Sequence, residues 1–348
     1  MNKIIFRFVA ALLVSIPVAY AQQPPQKPLD IYFIDTEGGQ ATLLVSPSGQ
    51  TMMIDTGFAG LDTANPDKEV GRDGDRIAAV ARLADVKRID TLVVSHFHGD
   101  HVGGVTQLTE RLPVRVFVDD GPAVQDVPIL KQRVGEYSEI YAAAFAKGQH
   151  KVVKAGDKIP VDGLDVTVVA ANGKAIARKG DANPYCEGIA GRPEGNPEDT
   201  ESLGVLVQLG KFRFANFGDM PWGKEVEFLC PENRMGKLDV LETARHGGEP
   251  SKAIYAMAPR VAIADNGARK GAGPAAVKAF QASPGFEDLW LLHFNVPGGK
   301  EGNPPEQFIA NLNEEGDQGL YLKVSAMEDG SFTVYNPRTK ATKSYAAK

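Results

Sequence analysis

The sequence predicts an α/β fold in which helices pack on the faces of mixed β-sheets. In the first part of the chain, short apolar runs follow one another and are separated by turn residues, as in consecutive strands. Farther along, strand-like runs alternate with intervals long enough for a helix. This order of elements is typical of mixed sheets covered by helices. The composition, 43% apolar and 24% charged, is that of an ordinary globular protein.

The N-terminal half of the predicted fold begins with strands. Turns rich in glycine, proline and serine separate the first strand-like runs, and apolar residues at helical spacing mark two helices. The predicted strands cover residues 29–34, 41–45, 51–54, 91–94 and 114–118, and the predicted helices cover residues 75–83 and 129–146.

The C-terminal half is predicted to contain two hairpins and several further strands. Gly210-Lys211 joins the runs 203–209 and 212–217, and Asp329-Gly330 lies between the runs 320–324 and 331–335. Residues 172–201 show almost no periodicity, and a loop of this length is usually functional. The remaining predicted elements are strands over residues 166–170, 239–243, 261–264 and 289–292 and a helix over residues 305–312.

The N-terminus has the pattern of a removable export signal over residues 1–21. Lys3 and Arg7 form a basic start, an apolar run follows, and Ala19-Tyr20-Ala21 provides the small residues that signal peptidases accept. The polar, proline-rich residues 22–28 are typical of a linker. We therefore expect an exported chain, periplasmic or secreted after cleavage near Ala21, in which residues 29–348 form a single domain with a C-terminal extension.

The chain has two cysteines, Cys186 and Cys230. An exported chain enters an oxidising compartment, in which two such cysteines are expected to form a disulfide. Two unpaired buried thiols are the alternative that the sequence leaves open.

The charge of the chain argues against two classes of partner. The formal net charge is −6, and removal of the export signal with Lys3 and Arg7 changes it to −8. Such a chain offers no basic stripe to a nucleic acid or to an anionic membrane. We expect a small-molecule or short anionic substrate, no membrane association and no stable nucleic-acid binding. The sequence does not predict an oligomeric state.

The strongest chemical signal is the run from Ser95 to Gly104, which follows a predicted buried strand and contains His96, His98, Asp100 and His101. His96 and His98 are two residues apart, so in an extended segment both imidazoles project to one side. Gly99 lets the backbone turn, which brings the next two side chains towards the same point. Three imidazoles and one carboxylate suit a borderline cation, above all zinc.

His-x-His-x-Asp-His after a buried strand resembles the signature of the metallo-β-lactamase-fold hydrolases. The resemblance runs from about residue 29 to residue 264. It implies an αββα sandwich, in which two mixed β-sheets pack face to face with helices on the outside. It also implies that two metal ions, zinc by expectation, bind in a cleft at the ends of the sheets.

Three weaker motifs occur in the order that this resemblance requires. Asp55 in Met53-Ile54-Asp55-Thr56-Gly57 resembles the aspartate that supports the metal ligands, and Asp219 after Phe217-Gly218 resembles the aspartate that bridges both metals. His246 in Thr243-Ala244-Arg245-His246-Gly247 resembles the histidine that binds the second metal. The resemblance thus implies that His96 and His98 bind the first metal. It implies that Asp100, His101 and His246 bind the second, with Asp219 between the two.

One expected ligand is absent. Many family members carry a further histidine just before the hairpin, but residues 194–202 contain none. This stretch and the run 33–41 resemble the branch that includes the hydrolase domain of ComEC-type DNA-uptake proteins, in which a polar residue replaces that histidine. Asp199, three residues before Ser202, is the nearest match, with Glu198 and Glu201 as rivals. The resemblance therefore implies that the first metal site is weak.

The resemblance implies a secreted zinc-dependent hydrolase in which a metal-bound hydroxide attacks the substrate and Asp100 orients it. The branch favours a phosphodiester, and an ester, lactone or β-lactam is the alternative. A non-catalytic binding protein with a degraded metal site is the second class. Asn266, Arg269 and Lys270 follow a predicted strand whose loop reaches the cleft in this fold, so they are candidates to hold an anionic substrate group. A solvated glycine-rich turn is the other interpretation.

Overall fold

The structure is a computed structural model that describes residues 27–59, 71–122, 128–189, 191–192, 195–314, 316 and 318–348, with the backbone alone for residues 128–133. The predicted export signal over residues 1–21 and most of the predicted linker lie outside the described residues.

The described residues form strands, α-helices and short 3-10 helices. The strands, in chain order, are β1 (Leu29–Phe33), β2 (Thr42–Val45), β3 (Thr51–Ile54), β4 (Ile89–Val93), β5 (Val114–Asp119), β6 (Gln149–Val152), β7 (Asp165–Ala171), β8 (Lys174–Ala175), β9 (Asp181–Ala182), β10 (Gly204–Leu209), β11 (Phe212–Asn216), β12 (Glu232–Asn233), β13 (Val240–Glu242), β14 (Val261–Ala264), β15 (Asp288–His293), β16 (Ile309–Asn311), β17 (Leu322–Ala326), β18 (Phe332–Asn336) and β19 (Ala341–Tyr345). The α-helices are α1 (Arg72–Leu83), α2 (Val105–Arg111), α3 (Pro128–Phe145), α4 (Pro197–Thr200), α5 (Trp222–Leu229) and α6 (Pro274–Gln281). The 3-10 helices are Ala244–His246, Lys252–Met257, Lys300–Gly302 and Glu306–Phe308.

Two large mixed sheets contain most of the strands. The first has the order β19-β18-β17-β1-β2-β3-β4-β5-β6, and the second has the order β16-β15-β14-β13-β11-β10-β7-β8. Strands β3 to β6 are parallel in the first sheet, and β11 and β13 to β16 are parallel in the second. The remaining neighbours are antiparallel, and β9 pairs with β12 outside both sheets.

The sheets pack face to face and helices cover their outer faces. In the layer between the sheets, the rings of Phe33 on β1 and Phe214 on β11 meet edge to face, with centroids 5.9 Å apart. A second apolar cluster joins the first sheet to α1, α2 and α3, and a third joins the second sheet to α5 and α6. The structure therefore confirms the αββα sandwich.

The parallel strands determine where polar side chains meet. Asp55 follows β3, and the loop with the clustered histidines follows β4. Asp219 follows β11, His246 follows β13 and Asp265 follows β14. Since the carboxyl ends of neighbouring parallel strands lie at one edge of a sheet, both sheets direct these side chains towards a common cleft.

The structure corrects one predicted element and adds others. Residues 305–312 are not a helix; a 3-10 turn at Glu306–Phe308 leads into β16, whose residues are buried beside β15. Strand pairing there buries the short apolar run completely, and a run this short does not reveal its period. Strands β6 and β19 were not predicted, because their exposed positions carry polar residues. The segment 172–201 contains β8, β9 and α4 between irregular stretches.

Cys186 and Cys230 form a disulfide, as the sequence predicts. The bond ties the irregular segment before α4 to the end of α5. None of the helices in the described part of the chain has the length and apolar character that crossing a bilayer requires.

Candidate metal centre

Histidine and aspartate side chains from both sheets meet at the cleft in two groups. His96, His98 and Asp199 form the first group, and Asp100, His101, Asp219 and His246 form the second. Within each group, one potential ligand atom from every residue lies within 4.8 Å of the others. The structure thus brings together the seven residues that the sequence and its family resemblance predict as metal ligands.

The first group has two imidazoles and one carboxylate. His96 Nε2 lies 2.9 Å from His98 Nδ1. Asp199 Oδ1 lies 3.0 Å from His98 Nδ1 and 3.6 Å from His96 Nε2. This oxygen is buried, and it makes no hydrogen bond of regular geometry to these nitrogens or to another described residue. Two nitrogens and a carboxylate oxygen that converge in this way fit a borderline cation.

The second group is more deeply buried and has one more carboxylate. Asp219 Oδ1 lies 3.4 Å from Nε2 of both His101 and His246, and these two nitrogens are 3.3 Å apart. Asp100 Oδ2 lies 3.2 Å from His246 Nε2 and 3.8 Å from His101 Nε2. Asp219 Oδ1 is also buried, and it makes no hydrogen bond of regular geometry among the residues described. The donor set fits a divalent cation with nitrogen and oxygen ligands.

Asp55 orients the ring of His101 by contacting its Nδ1 atom, on the side of the ring that faces away from Asp219. Its carboxylate accepts hydrogen bonds from the backbone N–H of Ser95 at 2.7 Å and from the Ser95 hydroxyl at 2.6 Å. His101 Nδ1 lies 2.8 Å from Asp55 Oδ2. A proton on Nδ1 is therefore directed to Asp55, which leaves Nε2 facing Asp219. This is the supporting position that the family resemblance implies for Asp55.

Asp265 lies in the corresponding place behind His246, a role that no motif in the sequence predicts. Asp265 Oδ2 lies 3.0 Å from His246 Nδ1, and both side chains are buried. The available signal was the position of Asp265, directly after the strand β14. A carboxylate that orients an imidazole in this way is a frequent companion of histidine ligands.

The carboxylates make the second group strongly attractive to positive charge. Burial has the largest effect on the pKa of His101 and lowers it, but the carboxylates of Asp219, Asp100 and Asp55 together raise that pKa to about 10. Burial would raise the pKa of Asp219, yet His246 and His101 hold it well below its usual range. The field that favours a proton on these imidazoles also favours a bound cation.

The three candidate substrate residues have different surroundings. Asn266 is fully buried, and its amide group bonds to the backbone of Gly267 and His293. Arg269 is exposed and forms an ion pair with Glu314. The Lys270 ammonium contacts Asp100 Oδ2 and lies 5.7 Å from the ring centre of Phe58. Only Lys270 of these three contacts a residue of the metal-ligand groups within the described structure.

Of the three acidic residues that competed for the missing histidine's place, Asp199 alone belongs to the first group in the part of the chain that the structure describes. Glu198 is buried and accepts a hydrogen bond of 2.8 Å from the backbone N–H of Phe97. Glu201 is absent from both groups of potential ligands found among the described residues.

Comparison with known proteins gives a family match and several partial similarities. Residues 35–177 match the family described as "Metallo-beta-lactamase superfamily". A hydroxyacylglutathione hydrolase from Stenotrophomonas maltophilia is 31% identical over 102 residues, which are 29% of this chain and 32% of that protein. A second, from Halorhodospira halophila, is 45% identical over 56 residues, 16% of this chain and 21% of that protein. The chain thus spans about a third or less of these relatives.

Among solved structures, the metallo-beta-lactamase fold protein YhfI from Bacillus subtilis is similar with a TM-score of 0.43 and 10% sequence identity. The similarity covers 76% of this chain and 96% of that protein.

Proposed function

We propose that this chain, whose residues 35–177 match the metallo-beta-lactamase superfamily, is a metal-dependent hydrolase of that superfamily. One observation carries the proposal. Asp219 and His246, from the ends of two strands of the second sheet, lie within 3.4 Å of His101, which belongs to the histidine-rich loop of the first sheet. Such a convergence of nitrogen and carboxylate donors has the composition of a catalytic metal site.

The two groups of side chains define the proposed ligands. His96, His98 and Asp199 would hold a first ion, and Asp100, His101 and His246 would hold a second, with Asp219 between the two. When bound, the ions lower the pKa of water towards neutrality and polarise the scissile group of the substrate. The donor set supports zinc, with two ions per chain and the first more weakly bound.

The side chains of the chain itself orient the reactants in this proposal. Asp55 and Asp265 hold the rings of His101 and His246 so that each Nε2 faces the cleft. Asp100, which is less buried than these histidines, orients the attacking water through a carboxylate oxygen. Lys270 beside Asp100 holds a negatively charged group of the substrate, with Arg269 farther out on the same loop.

We propose a phosphodiester as the scissile bond and a small or short anionic molecule as the substrate. Asp199 in place of a histidine supports membership of the ComEC-like branch, and Lys270 provides a cation for the phosphate. The net charge of −6 argues against a long polynucleotide. The two hydroxyacylglutathione hydrolases that are similar to part of the chain favour the alternative, in which an acyl bond such as an ester, lactone or β-lactam is hydrolysed.

We also infer that the protein is exported, to the periplasm or the medium, after cleavage near Ala21. The disulfide between Cys186 and Cys230 supports this inference, because such bonds persist in oxidising compartments.

Metal analysis and a substrate screen test the proposal together. We expect the purified protein to contain zinc and to hydrolyse a generic phosphodiester, with ester, lactone and β-lactam probes measured in parallel. His98→Ala and Asp219→Ala should abolish turnover while the fold is retained. His150→Ala is the matched control, since His150 lies outside both groups and contacts Asp119.

Unchanged turnover in His98→Ala and Asp219→Ala would contradict the assignment of the centre. Bound metal without turnover of any probe would instead support a binding protein.

A further inference from the structure

A chain of hydrogen bonds crosses the layer between the two sheets, and we call its three side chains, Thr42, Glu242 and Asn216, the inter-sheet bridge. Thr42 lies on β2 of the first sheet, whereas Glu242 and Asn216 end β13 and β11 of the second. Glu242 Oε1 lies 2.6 Å from the Thr42 hydroxyl, and Glu242 Oε2 accepts a hydrogen bond of 2.7 Å from the Asn216 amide nitrogen. All three side chains are buried.

The inter-sheet bridge lies close to the two aspartates that orient the histidines of the second group. In the first sheet, Thr42 pairs with the residue that precedes Asp55. In the second sheet, Glu242 pairs with the residue of β14 that stands two positions before Asp265. The bridge therefore joins the sheets near the points from which both carboxylates project towards the cleft.

An unambiguous donor fixes the orientation of the Asn216 amide. The amide oxygen accepts a hydrogen bond of 3.0 Å from the backbone N–H of Gly218. Because a backbone N–H can only donate, the amide nitrogen must face Glu242, and Glu242 Oε2 must accept. Gly218 immediately precedes Asp219. Asn216 therefore connects the inter-sheet bridge to the turn that carries the aspartate between the two proposed ions.

The turn at Gly218 is held on several sides. Gly218 has a φ of 54°, and a Cβ at this position would lie only 2.9 Å from the Cβ of Ser95 in the histidine-rich loop. The Gly218 carbonyl accepts a hydrogen bond of 3.3 Å from the backbone N–H of Arg245, in the loop after β13. Loss of the bond from Asn216 would thus shift a turn that packs against ligand-bearing loops of both sheets, and Asp219 would move with it.

The bridge does not need a charge on Glu242. Burial raises the pKa of Glu242 to about 8, and the Asp265 and Asp55 carboxylates contribute, although hydrogen bonds from Thr42 and Asn216 lower it by less. A hydroxyl both donates and accepts, so the bond to Thr42 persists when Oε1 is protonated. A glutamine at this position can therefore make the same two hydrogen bonds.

We propose that the inter-sheet bridge consists of positioning residues that hold Asp219 of the second sheet at the distance from His101 of the first at which both bind one ion. Asp219 Oδ1 and His101 Nε2 lie 3.4 Å apart, and this separation depends on how the two sheets are placed relative to each other. The bridge acts through Asp219 and supplies no ligand itself. The inference rests on the proposed function, since it takes the second group to be a metal site.

Competition between the zinc-loaded protein and a chelator tests this role in matched variants. Glu242→Leu removes both acceptors of the bridge. In Glu242→Gln, the amide oxygen accepts from Asn216 and the amide nitrogen donates to the Thr42 hydroxyl, so both hydrogen bonds remain. Asn216→Ala removes the link to the Gly218 turn.

Asn336→Ala is the control for the asparagine variant. Asn336 ends β18 and is as buried as Asn216. Its amide oxygen also accepts a hydrogen bond of 3.0 Å from the backbone N–H two residues later, and its amide nitrogen donates to two backbone carbonyls. The two alanine variants therefore leave similar buried groups without partners, and thermal unfolding should show comparable losses of stability.

We expect Asn216→Ala and Glu242→Leu to bind the tighter zinc equivalent about 10- to 100-fold less tightly, the usual effect of losing a group that orients a ligand. Glu242→Gln and Asn336→Ala should bind it as the wild type does. The visible spectrum of the cobalt-loaded protein should change in the first two variants only. A purely structural role of the bridge would lower stability without producing this pattern.

Equal zinc affinities of Asn216→Ala and Asn336→Ala would overturn the inference, because the bridge would then contribute to stability alone. Equal weakening in Glu242→Gln and Glu242→Leu would overturn it too, since the charge and not the hydrogen bonds would then act. If Glu242→Leu does not fold, Thr42→Val replaces it. This change removes only the hydroxyl that joins the sheets, should weaken zinc binding in the same way, and has Thr42→Ser as its control.

A failure of the proposed function is recognised separately. The wild-type protein would then bind no zinc before any variant is tested, and the role that we assign to the inter-sheet bridge would be lost with it.

Discussion

Asp265 Oδ2 lies 3.0 Å from His246 Nδ1, and Asp55 Oδ2 lies 2.8 Å from His101 Nδ1. In both pairs, the carboxylate follows a strand next to the one that precedes the histidine. The two sheets thus provide equivalent carboxylate–histidine pairs, which meet where the Nε2 atoms of His101 and His246 are 3.3 Å apart. Each aspartate directs its histidine towards the same point.

Loss of the Asp265 carboxylate should weaken the second metal site. Asp265→Asn removes the negative charge behind His246, and we expect the tighter zinc equivalent to bind about 10- to 100-fold more weakly. Competition with a chelator measures this affinity. Asp329→Asn, in an exposed turn, is the matched control. Equal zinc affinity of Asp265→Asn and the wild type would show that Asp265 does not support the site.

Lys270 should contribute to the binding of an anionic substrate. Its loss removes a charge-assisted hydrogen bond, so Lys270→Ala should lower kcat/KM for an anionic substrate about 10- to 100-fold, mainly through KM. Lys270→Arg should retain part of the kcat/KM that Lys270→Ala loses. Lys278 is an exposed lysine on α6, and Lys278→Ala should leave kcat/KM unchanged. Steady-state kinetics with an anionic and a neutral substrate show whether the loss depends on the negative charge of the substrate. An equal loss with the neutral substrate would argue against an anion-binding role.

The layer between the sheets should dominate the stability of the fold. Phe33→Ala removes a fully buried ring that packs against Phe214, and we expect the free energy of unfolding to fall by about 3–5 kcal/mol. Leu83→Ala, at the end of α1 and 63% exposed, should change it by less than about 0.5 kcal/mol. Urea unfolding measures both variants. Similar losses in the two would contradict the assignment of this layer as the principal core.

Glu225 should make stability depend on pH. Burial raises the pKa of Glu225 to about 7, although hydrogen bonds from Ser251 and the charges of Arg245 and Arg192 lower it by less. The folded protein therefore holds this proton more tightly than the unfolded chain. The resulting stability is fully present below about pH 4.5 and is lost as the pH rises through about 7.

Glu225→Gln removes this titration while an oxygen remains to accept the hydrogen bond from the Ser251 backbone N–H. From about pH 4 to about pH 8, we expect the variant to gain on the order of 3 kcal/mol of stability relative to the wild type. Thermal or urea unfolding across this range measures the difference. Glu227→Gln, with an exposed carboxylate two residues away, should follow the wild type. Parallel pH profiles for Glu225→Gln and the wild type would contradict the prediction.

The buried strands could be predicted because their apolar runs are visible without the partner strand. Residues 203–209 and 212–217 form β10 and β11 around the expected turn. The edge strands β6 and β19 could not be predicted, because their exposed side chains are polar and only the pairing with β5 and β18 makes them strands. The run 305–312 predicts a helix, but its residues 309–311 form β16, because three buried residues are too few to show whether their period is that of a helix or of a strand.

The residues of the candidate site also fall into those that the sequence predicts and those that it does not. His96, His98, Asp100 and His101 are clustered within six residues, so their local pattern was sufficient to predict them. Asp219 and His246 required the order of motifs that the family resemblance provided. Asp265 belongs to no motif, and its position after the predicted strand 261–264 is the one signal that the sequence offers, because its role arises only when its loop approaches His246.

The proposed ligands are unevenly spread along the chain, and this affects when the centre can be assembled. A ribosome releases His96, His98 and His101 about a hundred residues before Asp199, and still longer before Asp219 and His246. A nascent chain that ends before Asp199 contains the clustered imidazoles but lacks the carboxylate of the first group and the residues that the second sheet contributes. The complete set of proposed ligands therefore exists only once synthesis has passed His246, so the second ion cannot have its full set of donors before that point.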